Sequence, residues 1–430
     1  MSLTGRAVAL VAAGIVPVLL VPSAATVLAW AVLATALCAL DLALAGSPRR
    51  LVVRRVVPAS VRLTESAPAE LLVANSGSRT VRGLVRDAWQ PSAGAAPDRH
   101  PLTLPPGEAR RLTTVLRPVR RGELAADRVT VRAHGPLHLA ARQASLTVPG
   151  SVRVLPEFRS RRHLPSRLAR LREMDGRSAV QVRAPGTEFD SLRAYVEGDD
   201  VRAIDWRATA RRSEVVVRTW RPERDRRVFL VLDCSRLSAA RLGEGTRLEA
   251  EIDAALLLAA LATRAGDRVE LVAVDRAVRA RVAGESGATL LAALADAAVP
   301  LTPALVEPDW RTVTGLVRRG LPHRSLVVLL TALEPAAVEY GLLPAVGSLA
   351  RRHQVVVASA ADPAVAALRT AREERPDVFA VAAAERAGLE RDAVASGLRR
   401  AGVEVVDVGP DDLAAALADA YLALKAAGRL

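Results

Sequence analysis

The sequence predicts a multidomain membrane protein. It reads as an amino-terminal transmembrane helical hairpin, an antiparallel β-sandwich and a carboxy-terminal α/β domain with a mainly parallel sheet. Three observations carry this. No charged residue occurs from Ala7 to Leu40. Short alternating runs separated by turn residues fill about Leu51–Val154. Apolar strands alternate with helices from Val228 to the end. The divisions fall at 1–47 for the membrane hairpin, 48–155 for the β domain, 156–227 for a charged connecting segment and 228–430 for the α/β domain. A length of 430 residues suits two to three domains at about 150 residues each.

The uncharged run is long for one span of about 20 helical residues. Pro22 and Ser23 interrupt it, which gives helices over about Ala7–Val21 and Ala24–Ala45. Arg6 precedes the run, and Arg49, Arg50, Arg54 and Arg55 follow it. The positive-inside rule places both ends, and the domains after them, on the cytoplasmic side of the inner membrane. A cleaved signal peptide and a single tilted span are the rival readings, and both leave the rest of the chain cytoplasmic. Asp41 is read as interfacial, with a buried functional carboxylate as the alternative.

In the β domain the candidate strands are Ala69–Ala74, Thr80–Asp87, Arg111–Leu116, Arg128–Ala133 and Ser145–Val148. Turn chemistry separates them, as at Asn75-Ser76-Gly77 and Pro105-Pro106-Gly107. No catalytic cluster falls here, so a spacer or protein-binding role is expected.

Composition excludes several classes. Two cysteines rule out a disulfide scaffold and a cysteine-rich zinc module. Net charge is +14, yet Lys425 is the only lysine. Such arginine and alanine usage reflects GC-rich coding, and aromatics at 3% leave little for base stacking. No nucleic-acid partner is expected.

The connecting segment is dense in charge. Its centre runs from Gly186-Thr187-Glu188-Phe189 through Leu192-Arg193-Ala194-Tyr195 to Gly198-Asp199-Asp200-Val201-Arg202. Ile204-Asp205-Trp206-Arg207-Ala208 and Ala210-Arg211 follow. Desolvated aromatic and arginine side chains form interface hot spots, and the same residues make internal anchors. Two compatible readings follow: a docking surface built on Glu188, Arg193, Tyr195, Asp199, Asp200, Arg202, Asp205, Trp206 and Arg211, and an internal strap held through Trp206 and Tyr195. The strap is preferred, so Trp206→Ala is expected to lower stability first.

These spaced residues resemble the signature of a bacterial family called domain of unknown function 58, and the order of the chain's parts resembles the family's over most of its length. The resemblance implies a membrane-anchored protein with a von Willebrand A-like, Rossmann-like α/β domain. It also implies a MoxR-type AAA+ ATPase as partner, because such ATPases are typically encoded beside the family. The activity of the family is not established.

In the α/β domain the expected strands are Val228–Leu232, Arg268–Val274, Ala277–Val282, Leu326–Leu330, Val355–Ser359 and Glu404–Val408. The expected helices are Leu248–Ala265, Ala288–Ala297, Trp310–Arg319, Ala337–Arg351, Arg386–Arg400 and Asp411–Ala427. A von Willebrand A domain often binds a divalent ion with Asp-x-Ser-x-Ser after the first strand, plus a later threonine and aspartate. Asp233, Ser235 and Thr289 match three of those positions. Leu237 replaces the second serine and Ala332 the aspartate. Hard Mg²⁺ needs more oxygen ligands than this remnant offers, so no cofactor is expected, with Mg²⁺ as the alternative. No nucleophile elbow or phosphate loop is present, and Cys234 reads as a small buried apolar residue. The expected function is therefore non-enzymatic: a membrane-anchored adaptor for a MoxR-type ATPase in the assembly or maturation of complexes. A metal-dependent binding module or enzyme, and a structural component of cell-envelope assembly, are the alternatives.

Overall fold

A computed structural model describes residues 2–181, 188–196, 199–212, 214–221, 226–370 and 378–430. The chain divides into two compact units, Met1–Glu157 and Phe158–Leu430.

The first unit opens with strand β1 (Ser2–Leu3), helices α1 (Gly5–Ala13) and α2 (Ile15–Leu20), and the long helix α3 (Ala24–Leu44). Ser23 caps α3 by accepting the N–H of Thr26 at 3.2 Å. The expected first helix is broken at Gly14. There the indole of Trp30 lies where a Cβ would sit, and Trp30 Nε1 donates to Leu10 O at 3.1 Å. Only α3 is long and apolar enough to cross a membrane among the described residues; Gly5–Leu20 is apolar but shorter. Of the expected pair of helices, only the second has spanning length in the structure; the first is the shorter apolar pair α1–α2, packed beside it.

The rest of this unit is antiparallel except where the short β3 (Ser60–Arg62) runs parallel to β9 (Ala140–Leu155). Strands β2 (Leu51–Val56), β4 (Ala67–Asn75) and β7 (Ala109–Leu116) form one sheet in the order β2-β4-β7. Strands β5 (Val81–Ala88), β6 (Arg99–Leu104), β8 (Gly122–His134) and β9 (Ala140–Leu155) form the other with β1, in the order β1-β9-β8-β5-β6; β3 (Ser60–Arg62) pairs with β9. Leu71, Val73 and Leu112 of the first sheet share a core with Val85, Leu102, Val129 and Val131 of the second. Alternate burial along β4 is the period-two pattern of a strand with one face inward. The sequence reading missed β2, β3 and β6. They are short, and β6 carries Pro101 in its middle.

Both ends of the apolar segment meet one loop of the β unit. Ser2 and Leu3 pair with Ala141 and Ala140, and the Thr4 hydroxyl donates to Leu139 O at 3.1 Å. At the far end, Asp41 is fully buried. Its carboxylate accepts the N–H groups of Leu137, Leu139 and Ala140 at 2.6, 2.7 and 2.9 Å. A Cβ on Gly135 would collide with Asp41, so only glycine fits there. Asp41, at the end of the apolar helix, is a buried acceptor for a tight β turn. Charged acceptors strengthen such bonds, which offsets the cost of removing the carboxylate from water.

The second unit begins with helix α4 (Leu164–Gln181). Leu171 is buried, and Leu164 and Leu168 pack with it against the α/β core. Arg167 and Arg170 both bond Asp419 at 2.8 Å, and Ser160 Oγ donates to Asp253 Oδ1 at 2.9 Å. The signature strands β10 (Glu188–Ala194) and β11 (Val216–Arg221), with helix α5 (Trp206–Arg212) between them, come next.

The α/β core has strand β12 (Arg227–Asp233), a small hairpin of β13 (Arg241–Leu242) and β14 (Gly245–Thr246), helix α6 (Arg247–Arg264), strands β15 (Arg268–Val274) and β16 (Val278–Val282), and helices α7 (Gly287–Ala298) and α8 (Trp310–Gly320). Strand β17 (Leu326–Leu330), helices α9 (Pro335–Ala337) and α10 (Leu343–Ala350), strand β18 (Gln354–Ala360), helices α11 (Pro363–Thr370) and α12 (Val378–Arg400), strand β19 (Glu404–Val408) and helix α13 (Pro410–Ala426) complete it. The sheet order is β16-β15-β12-β17-β18-β19, parallel except for β16. The strands β12, β17 and β18 are buried on both faces, which is why they read as unbroken apolar runs. The expected single helix Ala337–Arg351 is instead α9, a π turn over Val338–Leu342 and α10. Pro344 lacks the N–H a regular helix would use there.

Candidate functional site

Two places combine the chemistry singled out in the sequence. The first is the signature segment. Strands β10 and β11 pair antiparallel from Glu188↔Arg221 to Ala194↔Val216, with an irregularity between Phe189 and Ser191. The backbone of Glu188 lies in β10, but its side chain is outside the described residues, as are Gly186, Thr187, Glu197 and Gly198.

Carboxylates organise the turn between the strands. Asp199 receives both terminal nitrogens of Arg193, at 2.6 and 2.7 Å, and the N–H of Val196 at 3.0 Å. Such a two-point arginine–carboxylate pair fixes orientation as well as distance. Asp200 accepts the N–H of Arg202 at 2.9 Å and opens a single 3₁₀ turn. Asp205 is the cap of α5: its Oδ1 accepts the N–H groups of Arg207 and Ala208, both at 3.0 Å. Its Oδ2 takes Arg218 Nε at 2.8 Å. The Ala208 N–H first, then Arg218, hold the Asp205 carboxyl below the usual carboxylate range. Thr209 Oγ1 accepts the N–H of Val216 at 3.1 Å and ties α5 back to β11.

The acidic residues of the signature thus build the segment, while large apolar side chains lie in solvent. Trp206 is 69% exposed, Val201 62% and Val196 61%. Tyr195 is half-buried, and Arg193, Arg202 and Arg211 are exposed. The expectation of Trp206 as an internal anchor is corrected. The strap is α4, whose apolar face meets the core through Leu171, whereas Trp206 starts a short helix whose cap and tie come from Asp205 and Thr209.

The second place is the carboxyl end of β12, at the centre of the parallel sheet, where ligand sites of such folds lie. Asp233 is buried. Its Oδ1 accepts the Ser235 N–H at 2.8 Å, and its Oδ2 the Thr331 hydroxyl at 2.6 Å. Glu251, on the second turn of α6, is fully buried with neither oxygen hydrogen-bonded, and Ser235 Oγ is likewise unsatisfied. Burial, and then the charge of Asp233, push the Glu251 carboxyl far above its ordinary range; burial raises Asp233 too. Arg247, one turn before Glu251, gives its guanidinium to Leu237 O at 2.7 Å and Ala360 O at 3.2 Å. It fastens the loop after β12 to the end of β18.

Of the three ligands expected from the sequence, Asp233 and Ser235 lie together. Thr289 stands at the start of α7, exposed, with its hydroxyl given to Ser286 O at 2.7 Å. Ala332, at the position where an aspartate was sought, is buried. Mg²⁺ demands octahedral oxygens and keeps several waters. Both Asp233 oxygens are already engaged, and Asp233, Ser235 and Glu251 are closed to solvent, so the arrangement does not fit that ion. Cys234 is fully buried among apolar neighbours, as its sequence context suggested. Thr331 and Glu251 were missed from sequence. Glu251 carried no distinguishing signal, since it stands between Glu249 and Asp253 in the first turns of α6.

The fold and these two places define a class: an α/β protein preceded by an antiparallel β unit and a spanning-length apolar helix, with a self-supporting charged segment ahead of the parallel sheet. Residues 191–374 match the family described as protein of unknown function DUF58. Uncharacterized proteins of Mycobacterium bovis and Mycobacterium tuberculosis are each 30% identical over 191 residues, 42% of this chain. The chain spans 57% of the length of those relatives. Among solved structures, the CARDB domain of a Pyrococcus furiosus protein is 19% identical and covers 26% of this chain and 91% of that domain, with a TM-score of 0.20.

Proposed function

We propose that this chain is a non-enzymatic, membrane-anchored interaction module. In this reading the apolar hairpin holds it in the inner membrane, the two β sheets form a sandwich-like spacer, and the von Willebrand A-like α/β domain faces the cytoplasm. The partner is a MoxR-type AAA+ ATPase, which supplies the energy for assembling or maturing protein complexes. The ATPase comes from the family resemblance; the docking face comes from the signature segment. One observation carries that face: Trp206 is largely exposed on a helix capped by Asp205, beside a turn locked by the Arg193–Asp199 pair. A rigid aromatic flanked by arginines is the usual make-up of an interface hot spot.

The test is Trp206→Ala in the full chain, read by ATPase co-purification and by melting temperature on the same protein. Recruitment is expected to weaken by about 30-fold or more, as hot-spot truncation does, with the melting temperature nearly unchanged. Undiminished recruitment by the stable variant would remove Trp206 from the interface. A matching loss of stability would return the residue to an internal role.

A further inference from the structure

A cleft of about 510 Å³ opens where α3 meets the β unit. Ser47, Arg50, Ser76, Ser78, Arg79 and Arg142 supply its polar lining, and no carboxylate is among the residues that line it. Arg142 donates from Nε to Leu42 O at 3.0 Å, and Arg79 donates to Ala43 O. These are carbonyls of the last turn of α3, where positive charge is favoured by the helix dipole. Each guanidinium has five N–H donors and gives one to the helix in these bonds. Ser76 Oγ donates to Arg50 O at 2.6 Å and so fixes the backbone that carries the third guanidinium.

Depth along the helix identifies the ligand. Helix α3 has 21 residues and rises about 31 Å at 1.5 Å per residue, the thickness of a bilayer's hydrocarbon core. Its last exposed apolar side chains are Leu40 and Leu44, and the cleft begins at the next residue, Ala45. The three arginines therefore stand at the level of lipid phosphates. We infer that the cleft binds the phosphodiester headgroup of an anionic membrane lipid. Three cations with neighbouring serine hydroxyls match phosphate oxygens. The lining offers no carboxylate to the ammonium of a zwitterionic lipid, so net-anionic headgroups are preferred. This inference rests on reading α3 as a membrane span.

The test uses the full chain in nanodiscs of phosphatidylcholine, with or without a minority of phosphatidylglycerol. Lipid retention is measured by native mass spectrometry after mild detergent release. Phosphatidylglycerol should be retained selectively. Arg50→Gln should weaken its retention by about fivefold, the contribution of one basic residue at a membrane surface. Arg50→Lys should keep most of it, and Arg399→Gln, at the end of α12, should leave it unchanged. Equal retention of both lipids, or undiminished retention by Arg50→Gln, overturns the inference. Competition by free glycerol 3-phosphate as effective as the lipid overturns the lipid assignment. Insertion without selectivity defeats only this inference, whereas failure to insert at all defeats the membrane span with it.

Discussion

Removing the Asp41 carboxylate should loosen the joint between the apolar helix and the β unit. The carboxylate holds three N–H groups of the β8–β9 turn, at 2.6–2.9 Å and out of contact with water. A hydrogen bond to a charged group contributes about 1.5–3 kcal/mol, and a buried donor left unmet costs a similar amount. Three such bonds would give more than about 4 kcal/mol, but partial relaxation keeps most single substitutions below that. Taking about 4 kcal/mol, Asp41→Ala should lower the melting temperature by about 10 °C, since 1 kcal/mol moves a unit of this size by about 2–4 °C. Asp41→Asn separates the contributions. Its one remaining oxygen can serve Leu139 and Ala140, which share Oδ2, while Leu137 then faces an amide donor. About half the loss should follow. The assay is thermal melting of the full chain in detergent micelles, followed by a probe on the β unit. If Asp41→Ala melts within about 2 °C of the unsubstituted chain, the carboxylate does not hold the turn and the reasoning fails. An amide variant less stable than the alanine variant would refute the assignment of the oxygens.

Three further outcomes are expected. Burial raises the Glu251 carboxyl far above its unfolded value, so its contribution to stability is complete in acid and is lost as pH rises toward the raised value. Glu251→Gln, neutral throughout, should therefore melt higher than the unsubstituted chain at neutral and alkaline pH and show a flatter profile; an unchanged pH profile would contradict a buried neutral acid. Asp205 has the opposite sign: its depressed carboxyl protects α5 above the ordinary carboxylate range and loses that protection only in stronger acid. Asp205→Ala should speed tryptic cleavage at Arg207 and Arg211 with the α/β core intact, and equal cleavage rates would show that the cap is dispensable. Titration of the full chain with Mg²⁺ should show nothing tighter than about millimolar, and a stoichiometric ion lost in Asp233→Asn would reverse the conclusion drawn from the sealed carboxylates.

Much of the architecture follows from local pattern. Strands Arg268–Val274, Leu326–Leu330 and Glu404–Val408 have the same ends in sequence and structure, because an apolar run bounded by turns is short-range information. The long helix after Ser23 is equally legible: a polar cap followed by an uncharged run has few alternatives. Signature residues were also legible as a group, since their spacing is a property of the chain alone. Their roles were not. Aromatic side chains serve equally as anchors and as contact surfaces, and what packs over them is not written beside them. Only the tertiary structure placed Trp206 in solvent and gave the strap to α4.

Asp41, Asp233 and Glu251 show the same limit more sharply. By sequence Asp41 is one charge near the end of an apolar helix, but its partners lie 96 to 99 residues away in a β turn. Asp233 was found from its position after a strand, while the Thr331 hydroxyl that satisfies it lies 98 residues on, at the end of the neighbouring strand. Glu251 gives no local sign of full burial, because α6 is covered on several sides by elements distant in the chain. The sequence by itself determined the membrane-length helix, the antiparallel and parallel units and the family signature. Those rest on hydrophobic period, turn chemistry and spacing, which act over a few residues. The tertiary structure alone decided which carboxylates are buried, what they hold and which aromatic faces solvent, because burial and hydrogen-bond partners are set by chain segments that folding brings together.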